Sequence, residues 1–383
     1  MPAVPLGASV ADGVIAMATS DLGIVAVTED GTSESRVHAI VTPRDLACVF
    51  GEDPVQLLQE LHHSTTIREV GELNRRVREL ALRYLTSPGA VDWVARFTQL
   101  TDAKILKHIL STAEPLPKGC WCFCGSSGRG ESLTMSAPHV VVILEHDRDR
   151  ARAISHYETV LETFAACGYL PRVELSLDRA FCVASMDEWK VRYTNWIRDP
   201  IRQEMYRARS LFDLRPIYGS TSLWQGVQAT VDSSIDRDFV HVLANDCLTS
   251  LPPLTFFQDV VIDTSGEQTE VFHLEDSALR PLVDVGRVFG MAARRTLGRS
   301  TRDRLLAARS LLPAYESIFR EASDAFSIVL WQQGRIGIAQ RTSGAELAPS
   351  QLSRNDRHIL KSGFRSILGL LEFTADPAWL DLL

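Results

Sequence analysis

The stretch Gly125-Ser126-Ser127-Gly128-Arg129-Gly130-Glu131 lies between a short apolar run, Cys120 to Cys124, and an uncharged β-branched run, His139 to Leu144. This order reads as strand, glycine-rich turn opening a helix, then strand. A glycine-rich turn at a helix start presents several backbone N–H groups to one point, where the helix dipole also favours negative charge. Its chemistry would be to cradle a phosphate. Neither the Walker nor the dinucleotide spacing is present, and such turns also serve tight packing. The Arg129 guanidinium can fork onto a phosphate or, equally, pair with Glu131 at the surface.

Other chemically capable residues read as structure. Cys120, Cys122 and Cys124 alternate at period two, which puts them on one face of a buried strand; zinc sites more often space paired cysteines by two to four residues. Asp147-Arg148-Asp149 follows the His139–Leu144 strand. At roughly 3.3 Å per residue it would sit about 20 Å from the glycine turn, in a solvated loop. Trp189 and Trp196, seven apart on an expected helix, share a core face. His62-His63 near a helix end, and Arg294-Arg295 beside Arg299, read as solvated surface.

These residues sit in a chain of 383, 45% apolar and 23% charged, which excludes collagen-like and largely disordered classes. Such a length holds two or three units at roughly 100–150 residues each. Forty basic against 48 acidic side chains leave a net charge of −8, so neither DNA nor RNA is an expected partner. No apolar run reaches the roughly 18 residues of a membrane span, and the Met1-Pro2-Ala3-Val4-Pro5 start lacks a secretory layout. A cytoplasmic protein with reduced thiols is expected, with seven scattered cysteines and no membrane association.

Residues 8–50 read as helix, strand, turn, strand, helix, with strands at Gly23–Val27 and His38–Val41. The following Thr42-Pro43-Arg44-Asp45-Leu46 resembles one CBS motif. The resemblance would give Thr42 and Asp45 the phosphate and ribose contacts of an adenine nucleotide; Thr-x-x-Asp is equally a plain helix cap. CBS motifs work in tandem and no second copy follows, so a lone motif of this kind either pairs with another chain, as in a homodimer, or is a vestige. Helical spacing then runs through Leu57, Leu58 and Leu61, Val77 to Leu85, and Val91 to Leu110.

Downstream, Ala151 to Cys167 reads as helix, Val173–Leu177 and Phe181–Ala184 as strands, and Met186 to Met205 as an amphipathic helix. From Ser220 helices dominate, apart from Leu251-Pro252-Pro253 and the polar stretch Asp263 to Glu270. The glycine turn, the Trp189…Trp196 helix with Pro200, and Phe212-Asp213-Leu214-Arg215-Pro216-Ile217-Tyr218-Gly219 occur in that order. With Leu251-Pro252-Pro253-Leu254, Pro281 to Arg287, Thr301-Arg302-Asp303-Arg304-Leu305 and the last helices, Leu352 to Phe373, they resemble a family of bacterial nucleotidyltransferases. These join CBS motifs to a DNA-polymerase-β-type core and a C-terminal substrate-binding domain. They are relatives of PII-protein uridylyltransferase and glutamine synthetase adenylyltransferase.

The resemblance implies an α+β fold: a single CBS-like motif at 1–52, a helical connector at 53–114, a polymerase-β-like nucleotidyltransferase core at 115–235, and a helical-bundle substrate-binding domain at 236–383. It implies transfer of a nucleoside monophosphate from ATP or UTP to an acceptor on a regulatory protein, with two magnesium ions. Gly125, Ser126, Gly128, Arg129, Glu131 and Arg215 would then contact nucleotide or phosphate. The family's metal-binding acid pair lies eleven and thirteen residues past the serine, on Ala137 and His139 here. Both acids are missing, and imidazole is a poor magnesium ligand. Asp213 alone stands at the third position, a catalytic residue only if activity survives. The expectation is therefore a catalytically degenerate, nucleotide-responsive regulatory or binding protein without a resident metal. The alternative is an active enzyme using Mg2+ with a nucleoside triphosphate.

Overall fold

The structure, a computed structural model, describes residues 1–20, 22–43, 45, 54–113, 115–171, 179–200, 208–248, 272–293, 300–348 and 352–382. Leu46 and Cys48, the strand expected at Val173–Leu177, the helix end at Met205, Leu251-Pro252-Pro253-Leu254, Asp263 to Glu270, and Arg294, Arg295 and Arg299 lie outside the described residues.

The first unit is a three-stranded sheet of β1 (Ala3–Pro5), β2 (Val25–Thr28) and β3 (Val37–Val41) with one helix, α1 (Val10–Thr19). Ser9 caps α1: its Oγ accepts from Asp12 N at 3.2 Å while the Asp12 carboxylate accepts from Ser9 N at 3.0 Å. β1 was not expected, since three residues ending in proline carry no readable alternation. The helices α2 (Pro54–His63), α3 (Ile67–Tyr84) and α4 (Val91–Thr112) follow, and Val70, Leu73, Val77 and Leu80 of α3 turn one buried stripe inward.

The central sheet has the order β6-β5-β4-β7, from β4 (Gly119–Cys124), β5 (His139–Leu144), β6 (Val183–Ser185) and β7 (Arg215–Gly219). β4 runs antiparallel to β5 and β7, and β5 parallel to β6. All six residues of β4 are buried. Cys120, Cys122 and Cys124 face one apolar core while Trp121 and Phe123 face a second on the other side. Burial on both faces explains why this strand carries no charge. The strand expected at Phe181–Ala184 forms in its second half, as β6 from Val183, whereas Phe181 and Cys182 belong to one helical turn, Arg179–Cys182, that precedes it. The short helix α5 (Gly125–Arg129) leaves β4 directly, and α6 (Arg150–Ala166) and α7 (Met186–Arg198) cover opposite faces of the sheet. Trp189 and Trp196 are core residues, and the Trp189 indole N–H donates to Val142 O at 3.0 Å.

The remainder is a helical array: α8 (Thr221–Ser234), α9 (Arg237–Leu248), α10 (Arg280–Ala292), α11 (Thr301–Leu311), α12 (Glu316–Gln340) and α13 (Arg354–Ala375). A two-stranded sheet, β8 (Phe272–His273) with β9 (Glu346–Leu347), interrupts the expected run of helices. Phe289 anchors the array, its ring 4.8 Å from that of Phe319 and 4.7 Å from that of Trp379. The array shares one core with the sheet: the Trp331 indole donates to Leu85 O at 2.8 Å, and Leu133, just past the glycine turn, lies against Gly334 of α12. Among the described residues no helix is long and apolar enough to cross a membrane.

Candidate functional site

The glycine turn forms the five-residue helix α5, ended by Gly130 in the left-handed conformation at φ 79°. Gly128 is required by close approach: a Cβ there would stand 1.8 Å from the Asp213 carbonyl oxygen and 2.9 Å from that of Phe123. The glycine thus lets the turn press against the segment carrying Asp213. At the start of the turn, a Cβ built on Gly125 would lie 3.6 Å from Ser210 Cβ and 3.9 Å from His139 Nδ1. Gly125, His139 and Ser210 are therefore neighbours.

Asp213 closes the 3-10 turn Arg209–Asp213 just before β7, and its side chain is 0% exposed. Its Oδ2 receives Arg129 at 2.6 Å and Arg287 at 2.8 Å, and its Oδ1 lies 2.7 Å from Arg304 Nη1. Arg129 comes from the turn, whereas Arg287 on α10 and Arg304 on α11 come from the C-terminal array. The aliphatic stem of Arg304 lies across Gly290, where a Cβ would stand 2.9 Å from its Cγ. Burial alone would raise the Asp213 pKa, but the guanidiniums of Arg287, Arg304 and Arg129 outweigh it and hold the carboxyl well below the usual range.

Arg129 also binds Glu131, at 2.6 Å, and the Glu131 carboxylate accepts from the backbone N–H of Thr301 at the start of α11. The two are buried at the interface of sheet and array, so the surface pairing expected from the sequence is corrected: they pair away from solvent. Opposing Glu131 and Asp213 charges raise the Arg129 pKa against the effect of burial. Asp284 extends the network by receiving Arg287 at 2.6 Å and Arg209 at 2.9 Å.

The expected site residues thus fall into separate groups. Gly125 and Ser126 begin the turn beside His139; Gly128, Arg129, Glu131 and Asp213 belong to the arginine cage. Arg215 donates to the Ser127 carbonyl at 2.8 Å. It is paired in register with Phe123, whereas His139 is paired with Cys124, so Arg215 and His139 occupy opposite faces of the sheet. Thr42 and Asp45 bond each other: the Asp45 carboxylate accepts from Thr42 N at 2.8 Å and Thr42 Oγ1 at 2.7 Å, in a capping arrangement. Asp147 and Asp149 lie past the end of β5 remote from the turn, pairing with Arg150 and Arg152.

Sequence reasoning assigned no role to Arg287 or Arg304. Nothing in their local pattern marks them, because the stems of long cations occupy apolar helix positions as well as aliphatic residues do.

Magnesium requires several oxygen ligands in near-octahedral geometry. Ala137 offers no side-chain ligand, and its N–H is bonded to Leu170 O at 2.8 Å. His139 offers imidazole, and both Asp213 oxygens are engaged by guanidiniums. Among the described residues no group of three or more His, Cys, Asp or Glu is arranged to hold a metal ion. The residues present do not fit a two-magnesium centre.

A mixed helix-and-sheet unit whose glycine turn is sealed by a helical array defines an α+β protein. Residues 74–203 match the family model described as "Putative nucleotidyltransferase DUF294", and residues 237–376 match that described as "Putative nucleotidyltransferase substrate binding domain". The chain therefore carries a nucleotidyltransferase-family domain followed by the substrate-binding domain. The first match begins within α3, inside the segment expected as a connector. No curated protein matches the chain.

Proposed function

We propose that this protein is a catalytically degenerate nucleotidyltransferase that acts in the cytoplasm as a nucleotide-responsive regulatory or binding protein. The observation that carries this reading is the state of Asp213. The one acid left at a family metal position is spent on three arginines, while Ala137 and His139 stand where the acid pair belongs. One carboxylate so engaged does not hold two divalent ions against the self-repulsion of a triphosphate. The retained Gly125-Ser126 turn supports a surviving affinity for nucleotide phosphates, within a polymerase-β-like core.

The N-terminal unit is proposed to be a lone CBS-like motif that pairs with a second copy of the chain. In support, β3 is an edge strand whose Val37 and Ile40 are 47% and 55% exposed. A regulatory protein is the proposed partner of the C-terminal domain.

The test is incorporation of labelled AMP or UMP from ATP or UTP into a protein acceptor, with magnesium or manganese. No incorporation above that of Asp213→Ala is expected. Metal-dependent incorporation abolished in Asp213→Ala would establish the active enzyme instead.

A further inference from the structure

Cys120 and Cys122 of β4 are thiols that the nucleotidyltransferase reading leaves unused. Both are fully buried on one face of the strand, and neither is in a disulfide. Their side chains converge. The two Sγ atoms lie 3.7 Å apart, in hydrogen-bonding contact, and Cys122 Sγ is 4.0 Å from the Cys120 carbonyl oxygen. Two thiolates that share one metal ion at about 2.3 Å each stand at most about 4.6 Å apart, so opening this pair by about 1 Å or less admits an ion between them.

The first turn of α8 meets this pair. The backbone N–H of Trp224, in that turn, donates to the Cys120 sulfur. The Ser220 hydroxyl at the head of the helix bonds Ser222 Oγ at 2.9 Å and caps no backbone N–H, which leaves the first-turn donors to other acceptors. The hydrogen bond from the Cys122 thiol, joined by the Trp224 N–H, outweighs burial and holds the Cys120 thiol below its ordinary pKa, while burial pushes the Cys122 thiol up. A thiolate suits this place, since the helix dipole favours negative charge there. Thr221 and Ser222 are exposed, so fraying of one helical turn opens a path from solvent to Cys120.

We propose that Cys120 and Cys122 form a site for a soft monovalent cation, copper(I), held between two thiolates. The number of donors selects the ion. Structural zinc and iron–sulfur centres take four protein ligands, and among the described residues no group of three or more His, Cys, Asp or Glu is arranged to hold a metal. Copper(I) prefers soft sulfur and is satisfied by two thiolates. On binding, two S–H bonds break, two copper–sulfur bonds form and two protons leave to solvent, with no change of oxidation state. The bis-thiolate complex carries one net negative charge, which the Trp224 N–H and the start of α8 stabilise. The site rests on β4 and α8 and does not depend on the state of Asp213.

The test uses the full chain, reduced and free of oxygen, with copper(I) offered as its bicinchoninate complex and zinc offered to a second sample. One copper(I) per chain should be withdrawn from the chelator, and X-ray absorption at the copper edge should show two sulfur ligands. Zinc should be lost on gel filtration. Cys120→Ser and Cys122→Ser should each weaken copper binding by more than about a hundredfold, beyond the cost of losing a hydrogen bond that only supports a ligand. Cys182→Ser and Cys247→Ser should leave it unchanged. Should a β4 variant fail to fold, as near-ultraviolet dichroism would show, the wild-type absorption spectrum decides, together with mass-spectrometric mapping of the cysteines that copper shields from alkylation. Shielding of Cys120 and Cys122 supports the proposal. No withdrawal of copper, equal binding by the β4 variants, copper on nitrogen or on three or more sulfurs, or shielding of other cysteines instead overturns it.

Discussion

Asp213→Ala is expected to cost the fold about 3–5 kcal/mol, the usual consequence of removing one partner from a buried ion network. The substitution leaves Arg287 and Arg304 without the carboxylate that receives both, and deprives Arg129 of one of its two acids. Against a total stability on the order of 5–15 kcal/mol this is a large fraction, and denaturant titration at neutral pH measures it. The effect carries a pH signature. Because the folded-state pKa of Asp213 is depressed, its contribution is fully present above the unfolded carboxyl value of about 3.9 and is lost as pH falls from there toward the folded value. Wild type should therefore lose stability steeply below about pH 4, and Asp213→Asn should lack that part of the acid limb. A cost below about 1 kcal/mol, the level of an exposed pair, would mean that the cage holds nothing together.

Asp102→Ala is expected to cost a comparable amount, about 3–5 kcal/mol, at a second buried network. Arg78 on α3 binds Asp102 on α4 at 2.6 Å, with both side chains almost fully buried. The Tyr169 hydroxyl donates to Asp102 at 2.5 Å and lies 3.1 Å from both Asn74 Oδ1 and Arg78 Nη2. Arg78 also donates to Leu133 O at 3.3 Å, tying the helices before the sheet to the loop after the glycine turn. Removing the acid leaves a buried guanidinium without its countercharge. Replacing both partners, as in Arg78→Met with Asp102→Leu, should recover much of the loss, because burying an ion pair gains little over packed hydrocarbon. Denaturant midpoints of the single and double variants measure this coupling, and simple additivity would contradict it.

The elements that carry the candidate site were legible in sequence because their patterns are strong. β4 and β5 are short runs without charge bounded by turn residues, and both form as expected, as does the helix opened by the glycine turn. Phe181–Ala184 was legible only in its second half, the start of β6, because apolar content in a four-residue run does not separate strand from the helical turn that holds Phe181 and Cys182. β1, β8 and β9 span two or three residues and owe their form to pairing with distant strands, which leaves no local periodicity.

At the site, the vacancy at the acid pair could be read by position from the resemblance, but the occupancy of Asp213 could not. Its partners lie 84, 74 and 91 residues away in sequence, and ion pairs at that separation follow from packing. A signal did exist for the second network. Asn74 and Arg78, four apart, interrupt the apolar stripe of α3, and polar side chains on a buried face must find partners.

The central claim is that Asp213 is satisfied by arginine and binds no divalent metal. Anomalous diffraction from crystals of the full chain grown with manganese and ATP tests it directly. The account predicts no manganese peak within coordination distance of the Asp213 carboxylate, with the guanidiniums of Arg129, Arg287 and Arg304 turned to it. A manganese ion bound by an Asp213 oxygen at about 2.1 Å, its shell completed by phosphate, water or other carboxylate oxygens, would contradict the account.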